Sequence, residues 1–323
     1  MRYYVRHTAR ALVLLGCATS VGAQTFEAVG TRAAGMGGAF VAVADDASAA
    51  YWNPAGFAAG NIFSIVVDRG TSKSDPTVPE GARKASGFLF AMGMPALGLS
   101  YYQLRSTVVA TSGAGAGSVR LDTLVTRHTG ATVLQSVGHR LTVGGTAKLV
   151  NGTAASAVGS DAARETLLDS ATELGGRQST KFDADIGLMT AGPFFKLGLT
   201  IRNVTSPDFE TPEGDAITLP RQARAGIACL LAQGWVVDAD FDLSTTHGSL
   251  GDERNIAVGT EGHLGRKTMV RAGLRWNTTG PSRTAPAAGG SYRLLGSLFV
   301  DGQVTGGSAR ADRGWGISAR FVY

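Results

Sequence analysis

The stretch "WVVDADFDL" (residues 235–243) decides the fold of this 323-residue chain. Its odd-numbered residues are apolar, and Asp238, Asp240 and Asp242 alternate with them. Because successive side chains of a β-strand point to opposite faces, this period of two predicts a strand with one apolar face and one charged face.

The same alternation recurs along most of the chain. In residues 268–277, apolar side chains alternate with Arg271, Gly273, Arg275 and Asn277. Similar segments occupy residues 182–188, 195–202, 223–231, 256–264 and 298–304. A soluble sandwich would bury such apolar faces, whereas a membrane barrel turns them outward to lipid. Segments of about 10 residues favour the barrel, because a tilted strand needs roughly 9 to 11 residues to cross a bilayer.

Aromatic residues at the strand ends support the same interpretation. Trp235, Trp276, Trp315 and Tyr323 lie in the apolar register, as the aromatic girdles of membrane barrels require. The alternation continues to the terminal Tyr323, which resembles the C-terminal signal by which outer-membrane barrels are assembled. Outer-membrane lipid and the barrel assembly machinery are therefore expected partners.

Loop lengths predict the number of strands. Short connections alternate with long ones, and bacterial barrels have an even number of strands. Treating residues 285–304 as one strand gives an odd number, whereas a turn at residues 294–296 divides it into strands near 284–293 and 297–305. The sequence therefore predicts an all-β protein, a 14-stranded antiparallel transmembrane β-barrel over residues 61–323.

The N-terminus predicts export to the bacterial outer membrane. Three Arg residues precede a short apolar stretch and a small-residue cleavage site, so residues 1–23 are predicted to be a signal peptide. About 11 apolar residues are too few for a spanning helix, which needs roughly 20. A lipoprotein signal ending at Cys17 is the alternative.

Charge, cysteines and motifs exclude several other classes. The formal net charge of +5 falls to +2 without the three Arg of the leader, which gives no electrostatic argument for nucleic acid. Only Cys229 remains after the leader, so no internal disulfide is available. The five His show no metal-ligand spacing, and no catalytic or dinucleotide-binding motif is present. We predict no metal, no cofactor and no enzymatic activity.

Residues 24–60 precede the first strand and are predicted to form a plug, or hatch, in the barrel lumen. Their many small side chains let a backbone pack closely against a wall. Within "DDASAAYWNPAGF" (residues 45–57), Asp45 or Asp46 is placed to cap a short helix and Pro54 to end it. Adjacent carboxylates diverge in direction, so this architectural role is favoured over a catalytic acid pair and over direct ligand contact.

Tyr51, Trp52 and Phe57 are the large apolar side chains of the predicted plug. They are the better candidates for contact with a hydrophobic ligand. Packing against the barrel explains them equally well, so the sequence leaves both roles open.

Charged residues on the strands are predicted to face the lumen. Asp238, Asp240 and Asp242 resemble the start of a calcium loop, but Leu243 stands where Gly is needed and Ser249 where a bidentate Glu belongs. The predicted lumen charges are Asp238, Asp240, Asp242, Arg224, Arg271, Arg275 and Glu261. Charges of both signs indicate paired, partly filled walls rather than a wide open pore.

The run "GMGGAFVAVADDASAAYWNPAGF" (residues 35–57) resembles the N-terminal signature of the FadL-like long-chain fatty-acid transporters and of the related PorV and PorQ outer-membrane barrels. The matching hatch residues are Gly35, Gly37, Gly38, Asp45, Asp46, Asn53 and Pro54. This resemblance implies a 14-stranded barrel with an N-terminal hatch. It also implies passive uptake of hydrophobic, fatty-acid-like small molecules through a hatch-gated lumen.

The chain departs from the fatty-acid transporters in its outer loops. It is shorter than they are and lacks their extended apolar outer segments; its longest loop, residues 151–180, predicts a helix from residue 160 or 161 to residue 174. Two alternatives therefore stay open. One is a non-transporting barrel that anchors or shuttles secreted protein partners, as PorV-like proteins do, and the other is a conjugation-associated outer-membrane protein.

Overall fold

The computed structural model describes residues 21–22, 29–112, 117–138, 140–171 and 174–323. The predicted signal peptide and the alternative lipid-attachment site at Cys17 lie outside these residues, apart from Val21–Gly22. This dipeptide pairs in parallel with residues 217–218, and Ala216–Thr218 pairs in turn with Asp208–Glu210.

Fourteen antiparallel strands close into a barrel in which the last strand pairs with the first. They are β1 (Ser64–Lys73), β2 (Gly81–Met94), β3 (Leu97–Thr111), β4 (Ser118–Val137), β5 (Leu141–Ser160), β6 (Arg177–Ala191), β7 (Phe195–Arg202), β8 (Gln222–Leu230), β9 (Val236–Asp242), β10 (Asn255–Leu264), β11 (Thr268–Asn277), β12 (Thr284–Leu295), β13 (Leu298–Thr305) and β14 (Arg313–Val322). The predicted all-β, 14-stranded antiparallel barrel is confirmed.

The turn that sets the strand count lies between β12 and β13. Gly296 adopts a φ of +44°, which favours glycine, and the strand register shifts between Arg293 and Leu295 just before it. The tight turn separates two strands that the alternation alone does not distinguish. The division predicted from the parity rule is therefore confirmed.

The strands turn apolar side chains outward, and most turn polar or small ones inward; β1–β3 also carry large apolar residues on the inner face. On β14, Trp315, Ile317 and Phe321 are exposed, whereas Ser318 and Arg320 are buried in the lumen. An apolar exterior around a polar interior is the arrangement of a membrane barrel.

The wall is taller on one side than on the other. Strands β2–β6 contain 14 to 20 residues each, and the other strands contain 7 to 12. Loops cover both sides of the tall wall at its outer end. On the inner side, the ring of Phe209 lies 2.2 Å from where a Cβ on Gly152 would be. Leu167 lies 2.6 Å from where a Cβ on Gly159 would be, and Gly159 faces the opposite side of the same strand. The loop that carries Phe209 therefore fills the outer end of the lumen beside β4 and β5.

The longest outer loop is shorter than predicted. β6 begins at Arg177, where it pairs with Ala154 of β5, and β5 extends to Ser160 because its last residues stay paired with β4. The predicted helix is a 3₁₀ turn (Asp161–Ala163) followed by the helix α3 (Arg164–Ser170), so it ends before residue 174.

The plug, residues 29–60, contains the short helices α1 (Thr31–Gly35) and α2 (Ala49–Trp52) and a 3₁₀ helix (Pro54–Ala59). α1 lies against β11–β14 and β1, and the 3₁₀ helix lies against β2 and β4–β6. The segment therefore crosses the lumen and is buried along most of its length. No helix in the described part of the chain is long and apolar enough to cross a membrane.

The cap of α2 differs from the prediction. Ser48 is the N-cap residue, and no side chain caps the helix. Asp46 instead accepts hydrogen bonds from the backbone N–H and the hydroxyl of Ser48, at 2.9 and 2.5 Å, and Asp45 pairs with Arg32. The end of the helix is as predicted, because Asn53 before the proline is extended, with a φ of −159°.

Candidate functional site

Glycines of the wall admit the plug backbone. A Cβ on Gly273 would lie 2.1 Å from the carbonyl carbon of Met36, and one on Gly259 would lie 2.4 Å from the Met36 oxygen. On β7, a Cβ on Gly198 would lie 2.5 Å from the carbonyl oxygen of Val41. Only a residue without a side chain fits at these positions, so the plug is seated directly on the barrel backbone.

Of the hatch glycines, Gly35 and Gly37 serve the same close approach from the plug side, and Gly38 allows the chain to turn. A Cβ on Gly35 would lie 3.2 Å from the Cα of Gly289, and one on Gly37 would lie 2.8 Å from the backbone nitrogen of Leu274. Gly37 and Gly38 also adopt φ values of +69° and +88°, which side chains disfavour. The glycine run predicted as part of the hatch thus lets the chain turn sharply against β11 and β12.

Arg32 lies at the centre of the polar contacts between plug and wall. Its Nε and Nη2 donate to the two carboxylate oxygens of Glu261 on β10, at 2.9 and 2.7 Å. Its Nη1 donates to Asp45 at 2.5 Å and to Asp46 at 3.0 Å. One buried guanidinium therefore joins the two predicted hatch carboxylates to a predicted lumen charge.

The pairing continues along the wall and returns to the plug. Arg271 donates to Glu261, and its Nη1 lies 3.3 Å from Asp301. Arg320 lies 3.2 Å from Asp301, and its Nε lies 3.8 Å from Asp46. We call this closed circuit the ionic ring; its members are Arg32, Asp46, Glu261, Arg271, Asp301 and Arg320. Three cations and three anions alternate in it, so the buried charges compensate one another.

For the two plug members of the ionic ring, Arg32 and Asp46, the neighbouring charges together shift the pKa further than burial does. Burial by itself would lower the pKa of Arg32 and raise that of Asp46. The carboxylates of Asp45 and Glu261 hold the pKa of Arg32 above its ordinary value. The guanidinium groups of Arg32 and Arg320 hold the pKa of Asp46 below its ordinary value. Both groups are therefore charged at neutral pH.

The other predicted lumen charges also lie on the inner wall, with different partners. Asp240 accepts hydrogen bonds from the backbone N–H groups of Phe40 and Val41, at 2.8 and 3.0 Å. Arg224 donates to Asp242 at 2.6 Å and to the carbonyl oxygen of Gly38 at 3.2 Å. These residues hold the central part of the plug to β8 and β9.

Asp238 and Arg275 are not brought into these contacts. Asp238 is fully buried, and its carboxylate oxygens accept no hydrogen bond from the part of the chain that the structure describes. Arg275 lines a cavity above the plug. Among the described residues, no group of three or more His, Cys, Asp or Glu side chains could hold a metal ion.

Asn53 fastens the second half of the plug. Its amide nitrogen donates to the carbonyl oxygens of Val41 and Leu188, both at 3.0 Å, and its Oδ1 accepts from the backbone N–H of Ala55 at 3.1 Å. Pro54 begins the 3₁₀ helix and lies 2.8 Å from where a Cβ on Gly187 would be. The Asn-Pro step of the hatch is therefore a fixed turn. It connects two parts of the plug with each other and attaches the plug to β6.

The three aromatic residues named as possible ligand contacts are buried in packing. Tyr51 and Trp52 make an edge-to-face contact at 5.7 Å, and the Trp52 Nε1 donates to the carbonyl oxygen of Val29 at 2.7 Å. The Phe57 ring lies 2.0 Å from where a Cβ on Gly93 would be and 2.6 Å from that of Gly98. In this arrangement they contact protein, and a ligand could reach them only if the plug moved.

A cavity of about 70 Å³ lies above α1, towards the long loops. Its lining includes Val29, Ala34, Leu104, Arg275 and Asp312, and does not include residues 45–57. An engineered apolar cavity that binds benzene measures about 150 Å³. This cavity is too small for an aromatic ring, and the buried plug residues occupy the lumen below it.

Ion pairs between outer loops close the mouth above the cavity. Arg83 at the start of β2 lies 2.5 Å from Asp312 and 3.5 Å from Glu253, and Arg283 lies 2.5 Å from Glu253. The loop that carries Glu253 joins β9 to β10, on the far side of the barrel from β2. The loops therefore meet across the opening.

Arg32 and Asp68 are two site residues that were not predicted from the sequence. Asp68 on β1 accepts a hydrogen bond from the backbone N–H of Thr31 at 2.6 Å. A signal for Arg32 was present, because it is the only charged residue between positions 28 and 44. A lone charge in a segment that will be buried needs a charged partner.

Comparisons with known proteins place this fold among hydrophobic-compound channels. The Ralstonia pickettii toluene transporter TbuX is 16% identical, over 92% of this chain and 99% of that chain, with a TM-score of 0.63. The monoaromatic hydrocarbon channel CymD is 14% identical, over 95% and 98% of the two chains, with a TM-score of 0.64. A Pseudomonas aeruginosa FadL homologue is 10% identical, over 90% and 98%, with a TM-score of 0.63.

The sequence comparisons match a smaller part of the chain than the structure comparisons do. Residues 109–242 match a protein family described as the F plasmid transfer operon TraF protein, which covers less than half of the chain. No curated protein sequence matches the chain. The chain thus has the fold of the FadL-like outer-membrane barrels, and the resemblance predicted from the hatch sequence is confirmed at the level of the fold.

Proposed function

We propose that this barrel is an outer-membrane channel for the passive uptake of small hydrophobic compounds. The observation that carries the proposal is a plug-filled, lipid-facing barrel whose fold is shared with channels for toluene and other monoaromatic hydrocarbons. The predicted signal peptide would direct export, and the terminal Tyr323 would serve recognition by the barrel assembly machinery.

The inner wall supports an apolar substrate. Apart from Ala228 on β8, the buried wall residues that cluster with the plug come from β1–β3. They are Val66, Leu89, Ala91, Tyr102 and Leu104. A molecule without charge would replace plug side chains there without leaving a polar group unpaired, whereas an ion would have to be desolvated.

Transport requires the plug to shift, because the lumen is occluded in the structure. The plug is held by side chains rather than by a continuous sheet, so it can move without opening the strand ladder. We propose that Gly35, Gly37, Gly38, Asp45, Asp46, Asn53 and Pro54 act as hatch residues that set its closed position, and that Tyr51, Trp52 and Phe57 meet the substrate when it opens. No catalytic step is needed for such a function.

Uptake of toluene tests the proposal. Bacterial cells that lack their own hydrophobic-compound channels would express this barrel, and the initial rate of radiolabelled toluene accumulation would be measured with and without expression. We expect the rate to rise with expression, while glucose uptake stays unchanged. Equal toluene rates in the presence of folded barrel would refute the function.

A role in conjugation is the second candidate, favoured by the family match over residues 109–242. These residues run from the end of β3 to the end of β9 and include the outer loops that fold over the tall wall. A conjugation or secretion role predicts a protein partner. Co-purification from gently solubilised membranes tests it, and recovery of the barrel alone would count against both conjugation and the anchoring of secreted proteins.

A further inference from the structure

The two halves of the barrel hold the plug by different forces. On β1, β8, β9 and β10 the plug is tied by hydrogen bonds and ion pairs, such as those of Asp68, Asp240 and Glu261. On β2 and β3 its contacts are apolar or aromatic. Tyr51 meets Tyr102 edge to face at 5.5 Å, and Phe57 lies on the glycines of the β2–β3 hairpin. The plug can therefore separate from β2 without breaking an ion pair of the ionic ring.

From Ala85 to Gly93, the inward face of β2 is an unbroken apolar column. Because side chains alternate along a strand, every second residue faces the lumen. Arg83, on the same face nearer the mouth, is charged and pairs with Asp312. The inward residues that follow it are Ala85, Gly87, Leu89, Ala91 and Gly93, none of which has a polar side chain. The column spans about 9 residues, close to the roughly 9 to 11 that a tilted strand needs to cross the bilayer core.

Both ends of the column meet a distinct feature. At the outer end, Ala85 and Gly87 line the cavity beside Val29 of the plug. At the inner end, the Phe57 ring covers Gly93 and Gly98. The column thus leads from the cavity under the outer loops to one aromatic side chain at the short-turn end of the barrel.

We infer that hydrophobic molecules pass between the plug and β2 along this column, and that Phe57 closes its inner end. The inference rests on the proposed function and adds the route and its gate. When the plug moves away from β2, it uncovers the apolar wall. A hydrophobic ligand in the column covers that wall again, so the wall stays out of water. The opposite side of the plug stays anchored by the ionic ring.

Two engineered disulfides, two residues apart in the plug, test the route. A Cβ on Gly87 would lie 3.8 Å from the Val29 Cγ2, and a Cβ on Gly316 of β14 would lie 2.8 Å from the Thr31 Oγ1. In each pair the glycine Cβ lies within 4 Å of a γ atom of the plug residue, which is the position that a cysteine sulfur would take. The variants are Val29→Cys with Gly87→Cys, and Thr31→Cys with Gly316→Cys as the matched control. Both would carry Cys229→Ser, which removes the last cysteine after the leader.

Toluene uptake is measured for each variant before and after reduction, with gel mobility to verify folding and cross-linking. We expect the oxidised Val29–Gly87 cross-link to abolish uptake and reduction to restore it, while the oxidised Thr31–Gly316 cross-link leaves uptake unchanged. Loss of uptake in both would mean that the whole plug moves, and loss in neither would place the route elsewhere; either result overturns the inference and leaves the proposed function standing. If the unmodified barrel takes up no toluene, the proposed function fails.

Phe57→Ala tests the gate without a disulfide. Phe209→Ala is the matched control, because Phe209 is also buried with its ring on a wall glycine, at the outer end of the tall wall. We expect toluene uptake to rise for Phe57→Ala and not for Phe209→Ala. The oxidised Val29–Gly87 cross-link should remove the rise. An equal rise in both variants, or none for a folded Phe57→Ala barrel, overturns the role of Phe57.

Discussion

Arg32 of the plug and Glu261 of β10 form a two-point ion pair, at 2.9 and 2.7 Å, although 229 residues separate them in sequence. Both side chains are at least nine-tenths buried. The pair joins the plug to the wall in the middle of the lumen. It is therefore the interaction whose removal we expect to have the largest effect on the plug.

Arg32→Met should destabilise the barrel by about 3–5 kcal/mol, because it leaves Asp45, Asp46 and Glu261 without their shared cation in a buried site. The midpoint of urea unfolding in detergent micelles measures the destabilisation. Arg177→Met is the control. The Arg177–Glu210 pair is 2.6 Å long, but both side chains are more than half exposed, so its removal should change stability by about 0–1 kcal/mol. Equal shifts for the two variants would contradict the central role of Arg32.

Gly259→Ala should strain the contact between plug and wall. The added methyl group would lie 2.4 Å from the carbonyl oxygen of Met36, and overpacking of this kind costs about 1–3 kcal/mol. Gly302→Ala on β13 is the control, because its Cβ would have no neighbour within 4 Å. Thermal unfolding followed by gel mobility distinguishes them. An unchanged midpoint for Gly259→Ala would mean that the plug does not sit on this glycine.

Asn53→Asp should destabilise the plug while preserving the shape of the side chain. The carboxylate can still accept from Ala55, but it cannot donate to Val41 and Leu188, and loss of a buried hydrogen-bond partner costs about 1–3 kcal/mol. Asn151→Asp, at an exposed site, should have little effect. The unfolding midpoints of the two variants provide the comparison, and similar values would show that the amide donors of Asn53 are dispensable.

The stability that Asp46 contributes to the folded barrel should decrease as the pH falls. Its pKa is lower in the folded barrel than in the unfolded chain, so its contribution is present above the unfolded value of about 3.9. It is lost as the pH falls below that value and the carboxylate becomes protonated. Unfolding midpoints between neutral pH and pH values near 3 should therefore fall more steeply for the natural barrel than for Asp46→Asn. Parallel curves would argue against a charged Asp46 in the plug.

The barrel could be predicted from the sequence because its main signal is local. The period of two in residues 235–243 reports which side chains face lipid, and parity then placed the turn near Gly296. The hatch glycines were also visible as a run of small residues. Each of these features lies within a short stretch of sequence.

The polar anchoring could not be predicted in the same way. The ionic ring joins Arg32 to Glu261 on β10 and Asp301 on β13, and the alternation within a strand carries no information about which plug residue lies beside it. The capping role predicted for Asp45 or Asp46 was wrong: both carboxylates pair with Arg32, which the local sequence does not indicate, and Asp46 also accepts from Ser48, two residues further along the chain. For Phe57, the sequence left ligand contact and packing open, and the structure shows packing in the closed state.

The hydrogen bond from Thr31 to Asp68 has a consequence for assembly. Asp68 lies on the first strand, and the neighbouring Gly316, which Thr31 also approaches, lies on the last. The start of the plug therefore bridges the seam at which the two ends of the sheet join. Pairing of β1 with β14 and docking of the plug are thermodynamically coupled, because each positions groups that stabilise the other. A sheet in which β1 and β14 are not yet paired therefore lacks part of the surface that binds the plug.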